Sequence, residues 1–152
     1  MATKKRVLCD TNLLLDVFDS ERTGHADAIA LLWYAAENPN SVELVSPVSS
    51  FKDAYYVLTR LYRSEAEARD SVEGLLGTFI QPVDMLASYG EDAFTSDEPD
   101  FEDALVRVCA EREGASVIIT RDVKAFARCD IMSVSAADYL AREGFSYDEI
   151  DI

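Results

Sequence analysis

Histidine is almost missing from this chain, and much enzyme chemistry goes with it. The lone His25 leaves no Ser-His pair, no HxxxH and no Cys/His cluster, which excludes a zinc site of the usual kind. Its neutral role is to cap or solvate a helix start. Cysteine is scarce too: Cys9, Cys109 and Cys129 form no CxxC, and an odd count argues against a disulfide framework. No stretch approaches the roughly 20 unbroken apolar residues of a membrane span. The basic opening Thr3-Lys4-Lys5-Arg6 imitates a signal peptide, but Asp10, Asn12 and Asp16 break the apolar run behind it. A cytoplasmic location is therefore expected. There is also no G-x-S-x-G, no phosphate-binding glycine loop, no internal repeat and no Pro/Gly/Ser-rich linker.

Positive charge is the other shortage. Fourteen Lys and Arg face 29 Asp and Glu, for a net charge of −15. Such a chain does not grip nucleic acid by charge alone, which normally takes a basic patch. The balance fits divalent-cation binding, a basic protein partner, or plain solubility. Nucleic acid stays open as a substrate if metal ions neutralise the contact.

What is present reads as one globular domain of 152 residues with 49% hydrophobic content. Short β-branched runs at 6–9, 42–46, 79–82, 116–120 and 131–134 read as strands. Helical patterns fall at 11–18, 25–38, 49–62, 64–77, 85–94, 101–113 and 136–142. Strands interleaved with helices of this length predict βαβ units and a parallel sheet, an α/β fold. The acidic stretch 91–100 lacks the spacing of a calcium loop and reads as solvated surface. The acidic tail 146–152 reads as loosely held.

Four aspartates stand out by position. Asp10 ends the first strand in Val7-Leu8-Cys9-Asp10-Thr11-Asn12, and Asp122 follows Val117-Ile118-Ile119-Thr120-Arg121 to open a helix. Each also reads as a simple helix cap, since Asp is a favoured N-cap. Asp103 lies off the stripe formed by Phe101, Ala104, Leu105 and Val108. It heads a second apolar row with Val106 and Ala110, so that helix is expected to be covered on both sides. Asp53 repeats the arrangement opposite Phe51, Ala54, Tyr55, Leu58, Leu61 and Tyr62, with Tyr56 and Val57 below it. Lys52 and Arg60 permit a plain surface-charge reading there, and Asp53 is the weakest of the four. Acids gathered in a strand-end crevice repel one another unless cations sit among them. Oxygen-rich sites of this kind suit Mg²⁺ or Mn²⁺, and a pair of such ions can activate water for phosphodiester hydrolysis. Arg121 and Lys124, beside the predicted site, read either as local holders of RNA phosphates or as ordinary solvated charges.

These motifs resemble the PIN-domain nucleases, particularly the ribonuclease toxins of toxin–antitoxin modules. The resemblance runs through Val7-Leu8-Cys9-Asp10-Thr11-Asn12, Ser46-Pro47-Val48-Ser49, Asp53-Ala54-Tyr55-Tyr56-Val57-Leu58, Asp100-Phe101-Glu102-Asp103-Ala104-Leu105 and Ile118-Ile119-Thr120-Arg121-Asp122, with Phe126 beyond. It implies a three-layer α/β/α sandwich with a central, mainly parallel sheet. It also implies Mg²⁺- or Mn²⁺-dependent cleavage of single-stranded RNA, an antitoxin partner and a homodimer. On it, Asp10, Asp103 and Asp122 are metal-site acids, and Asp53 is a fourth catalytic acid. Thr11, Asn12 and Thr120 would orient them. Asp53 stands where the family usually carries Glu, so its reach is one methylene shorter. Two other readings compete: a catalytically weak PIN-like module that binds a basic partner protein, and a phosphatase with an aspartyl nucleophile at Asp10. The phosphatase reading generally needs a second Asp where this chain has Asn12.

Overall fold

The computed structural model describes residues 3–147. The last residues of the predicted acidic tail lie outside that range. Five parallel strands form one sheet: β1 (Lys5–Cys9), β2 (Val42–Pro47), β3 (Gln81–Val83), β4 (Val117–Ile119) and β5 (Met132–Val134). Their order across the sheet is β3-β2-β1-β4-β5. A parallel sheet is buried on both faces, so its strands carry near-continuous apolar runs. Val7, Leu8 and Cys9 are all fully buried.

Alternation along each strand sorts these side chains into two cores. Val7, Cys9, Leu44 and Ile119 face α1 (Thr11–Phe18), α2 (His25–Glu37), α3 (Val48–Tyr62), α4 (Glu65–Leu75) and α7 (Ala136–Arg142). Leu8, Val45 and Ile118 face α5 (Ala87–Thr95), α6 (Phe101–Arg112) and a short 3-10 turn, Val123–Phe126. The result is the expected α/β/α sandwich.

Helix starts follow their caps. The carboxylates of Asp10 and Asp100 and the hydroxyls of Ser64 and Ser135 accept backbone N–H groups at the heads of α1, α6, α4 and α7. His25 opens α2 with Nδ1 2.8 Å from the Asp16 carbonyl, in keeping with a helix-start role.

The structure corrects several sequence expectations. The strand predicted at 79–82 is displaced: Ile80 bridges only to Leu76, and pairing with β2 runs over Gln81–Val83. This edge position tolerates Pro82, which has no N–H to donate. Asp122 opens a 3-10 turn rather than an α-helix, and its side chain makes no cap bond. On α3, Leu61 is half exposed despite its place on the predicted buried stripe, as are Tyr56 and Val57 beneath Asp53. On α6 the buried set is Ala104, Val108, Cys109 and Ala110, while Phe101 is exposed. Leu105 and Val106 are partly buried against the same core, so α6 is covered more broadly than one stripe.

Candidate active site

The chain runs outward from β1 to β2 and β3, then returns to place β4 on the other side of β1. Ligands of open α/β sheets bind at such a reversal, beyond the carboxyl ends of the strands. Asp10 leaves β1 there and Thr120-Arg121-Asp122 leaves β4. Two anchors fix this end of the sheet: the Asp10 N–H donates to the Ile119 carbonyl at 3.2 Å, and the buried Ser46 hydroxyl donates to the Cys9 carbonyl at 2.7 Å.

Asp10, Asp53 and Asp103 line one crevice of about 320 Å³, together with Thr11, Asn12, Ser49, Ser50, Lys52 and Phe101. Asp10 is its buried wall. Its carboxylate accepts the Leu13 N–H at 3.1 Å, the Asn12 backbone N–H and the Thr120 hydroxyl. Burial raises its pKa above the usual carboxylate range, and those hydrogen bonds pull it partly back. Asp103 is raised further, to about 6. Burial is the largest cause, followed by the negative charges of Asp100, Asp122, Glu98 and Asp10. Asp122 therefore belongs to the same electrostatic group although it does not line the crevice.

Asp53 joins the crevice less fully. Its side chain is 45% exposed and forms an ion pair with Lys52 at 3.2 Å. Asn12 serves Asp10 through its backbone, while its side chain accepts from Arg22 at 3.3 Å. Thr11 lines the crevice. Arg121 is drawn to the far side of Asp10, 3.6 Å from Asp16 and donating to the Thr23 hydroxyl. Lys124 is solvent-exposed.

Two supporting acids escaped the sequence reading. Asp16 is 2% exposed and pairs with Arg22 at 2.7 Å beside the Arg121 contact. An aspartate inside the apolar run Leu13-Leu14-Leu15-Asp16-Val17 was the available signal. Glu98 is held by Arg107 at 3.0 Å, and Arg107 also binds Asp97 and Glu111. That clamp fixes the loop delivering Asp100 and Asp103.

The carboxylate oxygens of this crevice, where burial and then neighbouring negative charge raise Asp103, suit hard divalent ions by their donor chemistry. Among the described residues no group of three or more His, Cys, Asp or Glu is placed so that it could hold a metal ion. Of the four acids singled out in the sequence, Asp10, Asp53 and Asp103 share the crevice lining and Asp122 does not. Among the described residues no helix is long and apolar enough to cross a membrane.

The same architecture recurs in solved structures. VapC20 of Mycobacterium tuberculosis, a Sarcin-Ricin loop cleaving toxin, superposes with a TM-score of 0.63 at 18% identity, over 80% of this chain and 94% of that one. VapBC2 of Rickettsia felis, bound to a DNA fragment from its promoter, gives 0.66 at 15% identity, over 86% and 98%. A toxin–antitoxin complex from Klebsiella pneumoniae gives 0.59 at 20% identity, over 86% and 97%. No curated protein matches the chain in sequence. The sequence profile of the PIN domain matches residues 6–124, most of the chain and every acid of the crevice, and the chain belongs to the PIN domain family.

Proposed function

We propose that this protein is a divalent-metal-dependent ribonuclease that cleaves single-stranded RNA, and that it is the toxin half of a toxin–antitoxin pair. The observation that carries this reading is the gathering of Asp10, Asp53 and Asp103 in one crevice at the strand reversal, where burial first, and then the charges of Asp100, Asp122, Glu98 and Asp10, raise the pKa of Asp103. PIN-family membership and the toxin identity of the structural neighbours support it.

Asp10, Asp103 and Asp122 would hold Mg²⁺ or Mn²⁺, which when bound supply positive charge to offset that developing on a phosphodiester under attack. The chain's own residues set the stage. Thr120, Leu13 and Asn12 keep Asp10 hydrogen-bonded and favour its ionised form despite burial. Asp103, with a pKa near 6, is mostly ionised at neutral pH and so available to bind a cation. The buried Phe126 and the partly buried Leu105 and Val106 form an apolar wall on one side of the crevice.

Incubation with labelled single-stranded RNA and Mn²⁺, beside an Asp10→Asn/Asp103→Asn double variant, tests the reading. Cleavage by the wild type and none by the variant is expected; equal cleavage by both overturns it. Copurification with the product of a neighbouring small gene carrying a DNA-binding half tests the antitoxin partner.

A binding module for a basic protein is the second reading. The Lys52–Asp53 pair and the net charge of −15 favour it. It predicts no RNA cleavage under any metal condition.

A further inference from the structure

One aromatic ring, Phe101, lines the crevice, and a second, Phe94, stacks on it. Phe94, near the end of α5, is 77% exposed, and Phe101, the first residue of α6, is 41% exposed. Their rings stack with centroids 4.3 Å apart and planes 22° from parallel. Single exposed apolar side chains are ordinary surface features. A stacked aromatic pair with one ring in the lining of an acidic crevice is not, and Phe101 lines the same crevice as Asp10, Asp53 and Asp103.

Charge explains why this position matters. The crevice's own cation, Lys52, is paired with Asp53, and Arg121 in the neighbouring cleft lies against Asp16. With a net charge of −15, the protein has little with which to hold phosphates. Single-stranded nucleic acid is otherwise held by stacking bases on aromatic side chains, a contact that tolerates any base because every base has a π face.

Resting on the ribonuclease reading, we infer that Phe94 and Phe101 form a base-stacking platform for single-stranded RNA. A base next to the scissile phosphate stacks on the open face of Phe94, and Phe101 sets that platform against the acids. Affinity then comes more from stacking than from phosphate contacts, so it falls only shallowly with added salt.

Fluorescence anisotropy with a labelled oligoadenylate of about eight nucleotides, Mn²⁺ and the cleavage-impaired Asp10→Asn protein as background reads the platform directly. Adding Phe94→Ala weakens binding about ten-fold, Phe94→Leu weakens it similarly, and Phe94→Trp retains it. Moving an abasic nucleotide along the oligomer finds one position whose base loss costs the Phe94 protein the same factor and costs the Phe94→Ala protein nothing more. Unchanged melting temperatures show that the fold survives, as expected for so exposed a ring.

Equal binding by Phe94→Ala, or full binding by Phe94→Leu, overturns the platform. So does sedimentation in which Phe94→Ala turns a dimer into a monomer, since the rings would then face a second copy. Cleavage by an otherwise wild-type protein that Phe94→Ala leaves untouched overturns the platform alone. A wild type that neither binds nor cleaves RNA takes the ribonuclease reading down with it.

Discussion

The backbone N–H of Asp122 donates to the Thr120 hydroxyl at 3.1 Å, and the same hydroxyl donates to the Asp10 carboxylate. One buried threonine thus ties the acid leaving β1 to the acid leaving β4. Its bond to Asp10 acts against burial and lowers that carboxyl's pKa. Thr120→Val removes the bond with little change in shape, so the Asp10 pKa rises and more of it is protonated at a given pH. The acid limb of the pH–rate profile of RNA cleavage then moves to higher pH, while Thr120→Ser retains the wild-type profile. An unmoved acid limb in Thr120→Val would show that Thr120 does not tune Asp10.

Asp103 makes stability depend on pH in the opposite sense from an ion-paired aspartate. Its native pKa is raised to about 6, above the value of about 3.9 for an unfolded aspartate. Between those values the native state holds a proton that the unfolded chain lacks, so stability falls as pH rises through that window. Asp103→Asn removes the penalty. With the crevice partly open to solvent, the gain is on the order of 1 kcal/mol near neutral pH, or roughly 2–4 °C in melting temperature. It closes below the window. Thermal melts of both proteins at either end of the window check this, and an Asp103→Asn protein no more stable at neutral pH refutes it. Mn²⁺ at neutral pH should raise the melting temperature of the wild type more than that of Asp103→Asn.

Asp53 is half exposed and is engaged by Lys52. A glutamate there reaches one methylene further into the crevice. Asp53→Glu is therefore expected to raise the cleavage rate, and Asp53→Ala to lower it by less than Asp10→Asn does. Initial rates on one labelled RNA under matched Mn²⁺ decide the order. A slower Asp53→Glu protein would mean that the carboxylate works at its present reach, through water or through Lys52.

The elements legible in the sequence are those with a local signal. Asp10, Asp100 and Ser135 each accept a helical N–H, and the helices start where those caps predict. β3 starts two residues later and ends one later than the expected 79–82, because Phe79 and Ile80 look strand-like on their own. The pairing partner β2, not local hydrophobicity, decides which residues join the sheet. That Asp10 and Asp103 share a crevice, with Asp122 near enough for its charge to act on Asp103, follows from the strand order β3-β2-β1-β4-β5, which no single segment encodes. Exposure of Tyr56 and Val57 was equally hidden, since helical periodicity shows that a face is apolar and not whether this chain covers it.

Asp16 was missed for the same reason: its partners come from elsewhere. Arg22 arrives from the α1–α2 connection and Arg121 from the end of β4. Gly24 completes the enclosure, because a Cβ built on it would overlap the Asp16 carboxylate. A buried carboxylate in this setting is held in place by its guanidinium partner, and the hydrogen bond of such a charged pair contributes about 2 kcal/mol. Asp16→Asn weakens that pairing and frees Arg22, lowering the melting temperature by roughly 4–8 °C. Gly24→Ala displaces the same carboxylate and destabilises through the same contact. The two effects are therefore less than additive in the double variant. A double-mutant cycle by denaturant unfolding measures this, and simple additivity would mean that Gly24 and Asp16 act independently.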